Sequence, residues 1–379
     1  MIFDPCSRNN LRKKTDPQYL RGHGGIFALC LTILLFVLSN GCGFAAETMS
    51  LAGSWRFALD RTDTGLAQKW FMKKLPDKIQ LPGILEAQGY GNQISIHTPW
   101  VLTLYDHFWY LRADYAAYTN SGRVKVPFLC QPPRHYLGAA WYQRDFEVPE
   151  SWQGKLVTLF LERPHWQSTV WLDGREIGFN DSLIAPHEYD FGILPPGEHH
   201  LSIRVDNRLI LPYRPDAHSV SDSLDGAWNG IVGKIELRAS DEVSIQRLCL
   251  DPDLKRKGVV VTLYTRNETG KPVAAPWVML QVVPINFGGN ALKPVQQSAV
   301  ICPGETNLTL FFPMGDHFQE WSEFNPKCYN LRATIGGKGF HSEIADTFGM
   351  RDFHTDGNQF ILNGRPIYFR GTHDGGDFP

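Results

Sequence analysis

The segment TVWLDGREIG, residues 169–178, indicates the fold most directly. Thr169–Leu172 and Glu176–Gly178 flank Asp173–Gly174, a dipeptide typical of two-residue hairpin loops because both positions of a type I′ turn need positive φ. The segment therefore predicts two short antiparallel strands joined by a tight turn.

Outward from this hairpin, the chain keeps the alternation of apolar and polar residues that is typical of half-buried strands. Further short strands are predicted at Leu156–Leu161, Leu201–Val205, Ile235–Arg238, Val259–Tyr264, Val278–Val283, Leu308–Phe312 and Tyr329–Thr334. Short strands separated by frequent turns predict an all-β protein of sandwich architecture. One short helix is expected at Thr64–Leu75, where Leu66 and Trp70 fall on one face.

The length of 379 residues predicts more than one domain. The predicted strand Ile235–Arg238 closes a first sandwich, and a boundary is expected near residues 238–243. The block that follows has the size of an immunoglobulin-like sandwich, about 100 residues.

The end of the chain differs from the rest. Asn363–Gly364 predicts a second hairpin turn, and the strand Pro366–Arg370 after it carries apolar groups on both faces. Such a strand is typical of the parallel core of an α/β barrel, where neighbours cover both sides. Because a lone barrel strand cannot bury itself, we expect the chain to stop just as a further domain begins.

The first 45 residues have the features of an export leader. Basic residues precede Ile26–Leu38, an apolar run shorter than the about 20 residues that a membrane span needs. Cleavage after Ala45 satisfies the small-x-small rule through Gly43, and lipid attachment at Cys42 is the alternative. The expected location is therefore periplasmic, extracellular or, as a lipoprotein, on the outer surface.

Composition excludes several functions. A net charge of −2 and a pI near 6.7 argue against nucleic acid as a partner. The seven cysteines form no CxxC pair and have no histidine at zinc spacing, so no metal is expected; buried thiols or one disulfide are the alternatives. No glycine-rich nucleotide motif is present, so no cofactor is expected. The 11 Trp, 13 Tyr and 23 Phe suit β-sheet cores, and they also suit the stacking of sugar rings.

Several segments, taken in order, resemble glycoside hydrolase family 2, which includes β-galactosidases, β-glucuronidases and β-mannosidases. Its amino-terminal sugar-binding domain carries stretches similar to WYQRDFEVP (141–149), VWLDGREIG (170–178), IRVDNR (203–208) and WNGIVGKIEL (228–237), and Leu81–Gly83 resembles an upstream loop. Trp321, Asn325–Pro326, Tyr329 and FGMR (348–351) resemble the family's immunoglobulin-like domain, and FILNGRP (360–366) with Arg370–Gly371 resembles its entry into the barrel.

This resemblance implies a domain order. A jelly-roll sugar-binding domain is expected at residues 47–240, an immunoglobulin-like sandwich at 241–350 and the first strand of a (β/α)8 barrel, otherwise absent, at 351–379. A complete barrel needs about 250 residues, far more than follow residue 351.

The resemblance also implies a retaining hydrolase, in which one glutamate is the acid/base and a second is the nucleophile. Both are expected beyond Pro379, so no catalytic residue is assigned within the chain. Four other glutamates, Glu86, Glu147, Glu162 and Glu188, are predicted to be solvated or paired surface residues.

Candidate sugar-binding residues lie in three places. In family members the loop before the WNGI stretch reaches the sugar, which nominates Asp222, Asp225 and Asn229, with Trp228 interpreted as a buried anchor of the loop. His373, Asp374 and Asp377 follow the predicted barrel strand and also have a plain surface role as the alternative. Their loop departs from the Asn-Arg-His-Glu-rich loop of the β-galactosidases, which puts lactose-type specificity in doubt. Trp166, between two strands, is a candidate stacking platform or a core residue.

Two functions follow from these features. The first is an exported family 2 hydrolase of O-glycosyl bonds, present without its catalytic part. The alternative is a non-catalytic carbohydrate-binding surface protein. Both predict a carbohydrate partner, no nucleic acid, and membrane contact only through an anchor at Cys42.

Overall fold

The computed structural model describes residues 47–101, 108–120, 122–126, 131–209, 221–222 and 228–372. These residues form two compact units that divide between Asp241 and Glu242. Both units are built almost entirely of strands, which confirms the predicted all-β class.

The first unit is a sandwich of two antiparallel sheets. Its strands are β1 (Glu47–Ser50), β2 (Gly53–Asp60), β3 (Asp77–Leu81), β4 (Gly83–Ile84), β5 (Ala139–Val148), β6 (Leu156–His165), β7 (Gln167–Leu172), β8 (Arg175–Asn180), β9 (His187–Ile193), β10 (Gly197–Asp206) and β11 (Gly230–Ser240). One sheet has the order β1-β11-β6-β9, with β4 paired to β11, and the other has the order β3-β2-β5-β10-β7-β8. Short 3₁₀ helices occur at Trp70–Met72, Glu86–Gln88, Trp109–Leu111, Ala113–Tyr118 and Glu150–Trp152.

Alternating residues of both sheets fill the core of this unit. Tyr142 of β5 lies opposite Ile203 of β10 in the register, and both are fully buried together with Leu159 of β6 and Leu237 of β11. The hairpin between β7 and β8 has the predicted turn, since Asp173 and Gly174 have φ values of 51° and 79°. Burial of one face of each strand is therefore what holds the two sheets together.

The helix expected at Thr64–Leu75 is not formed, apart from the 3₁₀ turn Trp70–Met72. The Asp60 carboxylate accepts hydrogen bonds from the backbone N–H groups of Thr64 and Gly65, both at 2.9 Å. Lys69 then takes a left-handed conformation, with φ of 53°, which an α-helix does not tolerate. The segment is thus a chain of turns packed over the outer tryptophans of the six-stranded sheet.

The sandwich of the second unit contains seven strands in two sheets. These are β12 (Val243–Asp253), β13 (Gly258–Asn267), β14 (Val273–Pro284), β15 (Val295–Ile301), β16 (Gly304–Pro313), β17 (Tyr329–Gly337) and β18 (Phe340–Phe348). The sheets have the orders β12-β13-β16 and β15-β14-β17-β18, and their inner faces share one apolar core. A seven-stranded sandwich of about 100 residues is the immunoglobulin-like arrangement.

A small antiparallel sheet follows, made of β19 (Phe353–Asp356), β20 (Gln359–Leu362) and β21 (Arg365–Ile367). The predicted hairpin at Asn363–Gly364 is present, but the apolar strand expected at Pro366–Arg370 is shorter. Among the described residues, β21 pairs only with β20, and Tyr368 and Phe369 lie beyond it with 86% and 66% exposure. The arrangement is that of a hairpin rather than of a strand enclosed on both sides.

Three cysteines fall among the described residues, and all three are free thiols. Cys328 is buried as predicted, whereas Cys249 and Cys302 are exposed. Cys130 and the leader cysteines lie outside the described residues.

Candidate functional site

Buried polar side chains gather where the first unit's strands meet the segment that precedes β11. Five of them are Glu86, His135, Asn207, Asp222 and Asn229, none more than 4% exposed. Burying a polar group costs free energy unless the group forms a hydrogen bond, so each of these side chains is expected to have a partner.

Asn229, directly before β11, is held by its whole amide. Its Nδ2 donates to the carbonyls of Gly138 and Val205, both at 3.1 Å, and its Oδ1 accepts from the hydroxyl of Tyr142 at 2.9 Å. The side chain is fully buried. In this structure Asn229 is an anchor, because these partners already use its amide, and its predicted contact with a sugar stays a prediction.

Glu86 lies at the start of a 3₁₀ helix and is 1% exposed. Its two carboxyl oxygens face the backbone N–H of Asn229 at 3.0 and 3.3 Å. Burial, with a smaller contribution from nearby Asp222, raises the pKa of Glu86 to about 8. The prediction of a solvated or paired surface residue was wrong for Glu86. By contrast, Glu147 is exposed, and Glu162 and Glu188 pair with arginines near the surface.

Asp222 fastens the other side of this region. Its backbone N–H donates to the carbonyl of Val101 at 2.9 Å, and its carboxylate accepts the Val101 N–H in return. The Nε2 of His135 lies 3.5 Å from the same carboxylate, and the ring of Trp100 packs edge-on against His135. Asp222 is only 1% exposed, so in this structure it holds segments together, and its predicted contact with sugar stays a prediction.

Trp228 is the half-buried member of the group. Its indole stacks on the imidazole of His165, with 4.3 Å between ring centroids. Its carbonyl accepts hydrogen bonds from His165 Nδ1 at 2.6 Å and from Asn207 Nδ2 at 3.2 Å. The interpretation of Trp228 as an anchor agrees with these contacts, and the residue as a whole keeps some exposed surface.

Trp166 lies in the one-residue connection between β6 and β7, as a loop position was predicted to. Its side chain is only 1% exposed, and its indole N–H donates to the carbonyl of Arg208 at 2.9 Å. Neither face of the buried ring is open to a sugar in this structure, which agrees with the core-residue alternative, and the stacking platform stays a prediction. Asp225, His373, Asp374 and Asp377 lie outside the described residues.

Sequence reasoning missed Glu86, His135, His165 and Asn207. His165 is the last residue of β6, and Asn207 follows β10 directly. The usable signal was a polar residue at the end of an apolar strand. For Glu86 the signal was its place after the apolar pair Ile84–Leu85.

A second polar network lies on the outer face of the six-stranded sheet. His200 Nδ1 lies 2.7 Å from an oxygen of Asp145, and His200 Nε2 lies 3.3 Å from Ser202 Oγ, the order of a hydrolytic Ser-His-Asp triad. Ser202 is fully buried, however, and its hydroxyl bonds to the carbonyl of Phe71. Arg56 also holds Asp145 through two 2.7 Å bonds, which lowers the pKa of Asp145. The network is structural.

The second unit has an open cavity of about 390 Å³ beside Phe287 and Tyr329. Lys327 lies over the ring of Phe287, and no carboxylate is among the lining residues. Acid–base hydrolysis needs two such groups, so this cavity does not supply it.

No group of three or more His, Cys, Asp or Glu residues in the described part of the chain has a geometry that would hold a metal ion. A search of the same residues found no helix of the length and apolarity that a membrane crossing requires.

The fold defines the class, a pair of β-sandwich domains. In the first sandwich, buried polar side chains lie together where the strands meet the segment that precedes β11. Residues 48–232 match the family described as glycosyl hydrolases family 2, sugar binding domain. The family resemblance is thereby confirmed, since this chain carries the sugar-binding domain of the family.

Individual relatives agree with this assignment. The chain is 22% identical over 346 residues to a β-glucuronidase from Paenibacillus borealis, covering 86% of this chain and 49% of the relative. It is 24% identical over 346 residues to a β-galactosidase from Arthrobacter sp. (strain B7), covering 86% of this chain and 30% of the relative. The chain thus spans half or less of the length of these curated relatives.

The fold itself is similar to that of a solved structure, a β-glucuronidase from Ruminococcus gnavus in complex with D-glucaro 1,5-lactone. The TM-score is 0.59 at 18% identity, with 86% of this chain and 49% of the other covered.

Proposed function

We propose that this chain is the non-catalytic amino-terminal part of an exported family 2 glycosidase that hydrolyses O-glycosyl bonds in carbohydrates. The observation that carries the proposal is the match of residues 48–232 to the family's sugar-binding domain. In the full-length protein, hydrolysis proceeds with retention through two carboxylates about 5–5.5 Å apart.

The described acidic residues support a non-catalytic role for this part. A catalytic pair needs two carboxyl groups that face a cleft together. Glu86 and Asp222 are the buried acids of the candidate site, and both are engaged with backbone N–H groups away from solvent. These contacts suit a role in holding loop segments in place better than a catalytic attack by the carboxylates on a sugar.

The relatives point to the substrate class. They are named β-glucuronidase and β-galactosidase, so we propose a β-linked glycoside as the substrate of the full-length protein. The partly exposed Trp228 is the proposed sugar-facing group of the described residues, since aromatic faces stack on sugar rings. Asp222 and Asp225 remain the proposed polar contacts.

Turnover of p-nitrophenyl β-D-glucuronide, β-D-galactoside and β-D-mannoside by the purified 379-residue chain tests the non-catalytic role. We expect no hydrolysis above the buffer control. Robust turnover of any one of them would contradict the proposal. Glycan-array binding without turnover, by a protein whose reading frame ends at Pro379, would favour the carbohydrate-binding alternative.

We also propose that the protein is exported through its leader, with Ala45 cleavage or Cys42 lipidation as the two routes. Mass analysis of the mature amino terminus distinguishes them, because lipidation leaves an acylated Cys42 and a Cys42→Ala variant then loses its membrane association. A mature protein that still begins at Met1 would refute export.

A further inference from the structure

The most unusual group in the molecule is the carboxyl of Glu86. It is 1% exposed, and no Lys or Arg among the described residues forms an ion pair with it. Its contacts are the Asn229 N–H and its own backbone N–H. A buried acid without a counter-charge favours its neutral form, since ionisation in a dry site is costly.

The backbone N–H groups of Asn229 and of Glu86 itself favour an ionised carboxylate, but burial outweighs them. Asp222, from the segment that clamps Val101, adds a negative charge nearby. Tyr142 of β5 lies on the other side and donates its hydroxyl to Asn229 rather than to Glu86. His135 faces Asp222, at 3.5 Å, and His165 faces the carbonyl of Trp228. An anionic Glu86 therefore gains solvation only if water reaches it.

Water can reach Glu86 only if its cover moves. The backbone that meets the carboxyl is that of Asn229, and the carbonyl of Asn229 in turn accepts the N–H of Leu85 at 2.9 Å. Glu86 and Leu85 thus bind the Trp228–Asn229 backbone from both its N–H and its C=O. Opening this contact releases the residues that lead into β11.

We propose that Glu86 is a positioning residue, whose protonated carboxyl locks Trp228–Asn229 against the Leu85–Glu86 turn and whose ionisation unlocks it. The effect of this lock on sugar binding rests on the proposed function. We expect the exposed part of Trp228 to be positioned for stacking on a sugar ring only in the locked form. Glu86 acts on sugar through Trp228 and does not touch it.

Hydrogen exchange with mass spectrometry tests the lock on the whole chain without any sugar. We compare wild type with Glu86→Gln, which keeps the acceptor but cannot ionise, with Glu86→Ala, which removes it, and with the exposed control Glu147→Gln. We expect protection of the amides at 228–232, corrected for intrinsic exchange, to fall in the wild type by up to about tenfold per pH unit as pH rises from about 4.5 towards 8, the ordinary and folded pKa values of Glu86. Glu86→Gln should stay protected, Glu86→Ala should be unprotected at every pH, and Glu147→Gln should follow the wild type.

Two results would overturn the lock: protection in Glu86→Ala equal to wild type, or a wild-type pH response that persists in Glu86→Gln. Titration calorimetry with methyl β-D-glucuronide and methyl β-D-galactoside, across the same pH range, is the second arm. Sugar affinity that falls with pH in wild type but not in Glu86→Gln supports the link to Trp228, and pH-independent affinity refutes that link. Absence of sugar binding with an intact exchange pattern counts against the proposed function alone, since the exchange arm does not depend on sugar.

Discussion

The two sandwiches of this protein bury different kinds of residue. Among the described residues, the buried polar side chains of the 242–370 unit are all neutral, namely Ser244, Thr265, Asn267 and Thr334. The 47–241 unit buries many ionisable groups, namely Asp60, Glu86, His135, His165, His187, His199, Arg204, Asp206 and Asp222. Buried ionisable groups are costly and occur preferentially where a protein does chemistry or recognition, so the comparison favours the first sandwich over the second as the place of the proposed sugar site.

The largest expected effect tests the second sandwich in this comparison. Phe312→Ala in β16 removes a fully buried ring from the apolar core, and we expect the free energy of unfolding of that unit to fall by about 3–5 kcal/mol. The loss should change little across neutral pH, because no Asp, Glu, His, Lys or Arg side chain is buried among the described residues there. Denaturant unfolding followed by circular dichroism measures it, with Val300→Ala, 59% exposed, as the control near zero. A strongly pH-dependent loss would break the comparison.

Asn229→Ala tests the polar side. It leaves the Tyr142 hydroxyl and the carbonyls of Gly138 and Val205 without their partner, which costs about 2–4 kcal/mol in total. Tryptophan fluorescence is a suitable probe, because nine of the 11 tryptophans precede residue 242. Asn330→Ala, which loses one 3.4 Å exposed contact, is the matched control and should change stability by less than about 0.5 kcal/mol. Equal effects of the two would show that the amide network is not what holds the end of the first sandwich.

The pH dependence of stability sharpens the comparison further. The pKa of Glu86 is about 8 when folded, above its ordinary value of 4.5. The folded state therefore binds more protons between these values, so the stability of the first unit is fully present below about 4.5 and falls as pH rises towards 8. The slope contributed by Glu86 is about 1.4 kcal/mol per pH unit. Glu86→Gln should remove this contribution in fluorescence-monitored unfolding. An unchanged slope would assign the pH response to another group.

The smallest expected effect concerns a hairpin. Gly174 has φ of 79°, so Gly174→Ala should destabilise the first unit by about 1 kcal/mol through backbone strain alone. Gly178, in the adjoining strand β8, lacks a positive φ and has open space where a Cβ would lie, so Gly178→Ala is the control. If thermal unfolding shows equal shifts for both, the turn conformation is not what Gly174 supplies.

The fold was largely predictable from sequence, because strand alternation and Asp-Gly or Asn-Gly turns are local signals. The site was less predictable. Asn229 was a candidate sugar contact, and Trp166 was a candidate stacking platform or a core residue; both are buried. The burial of these two side chains depends on which strand ends lie next to each other, and local sequence patterns do not predict that arrangement.

The prediction of Glu86 as a surface residue was the larger error. A lone glutamate after a Leu-Pro-Gly loop is typical of a surface residue. In the structure the turn packs against Asn229, and the carboxyl group is shielded from solvent. The helix predicted at Thr64–Leu75 fails because Lys69, in the middle of the segment, takes a left-handed conformation that an α-helix does not tolerate.

The central claim is that this chain shapes a sugar site while the catalytic glutamates lie elsewhere in the full-length protein. The most direct test is to express the complete open reading frame, trap it with 2-deoxy-2-fluoro glycosides of the β-glucuronide and β-galactoside type, and map the label by peptide mass spectrometry. Retaining enzymes form a covalent glycosyl-enzyme on their nucleophile. We expect a labelled glutamate beyond Pro379 and no label within residues 1–379. A label on any residue of this chain, Glu86 included, would contradict it.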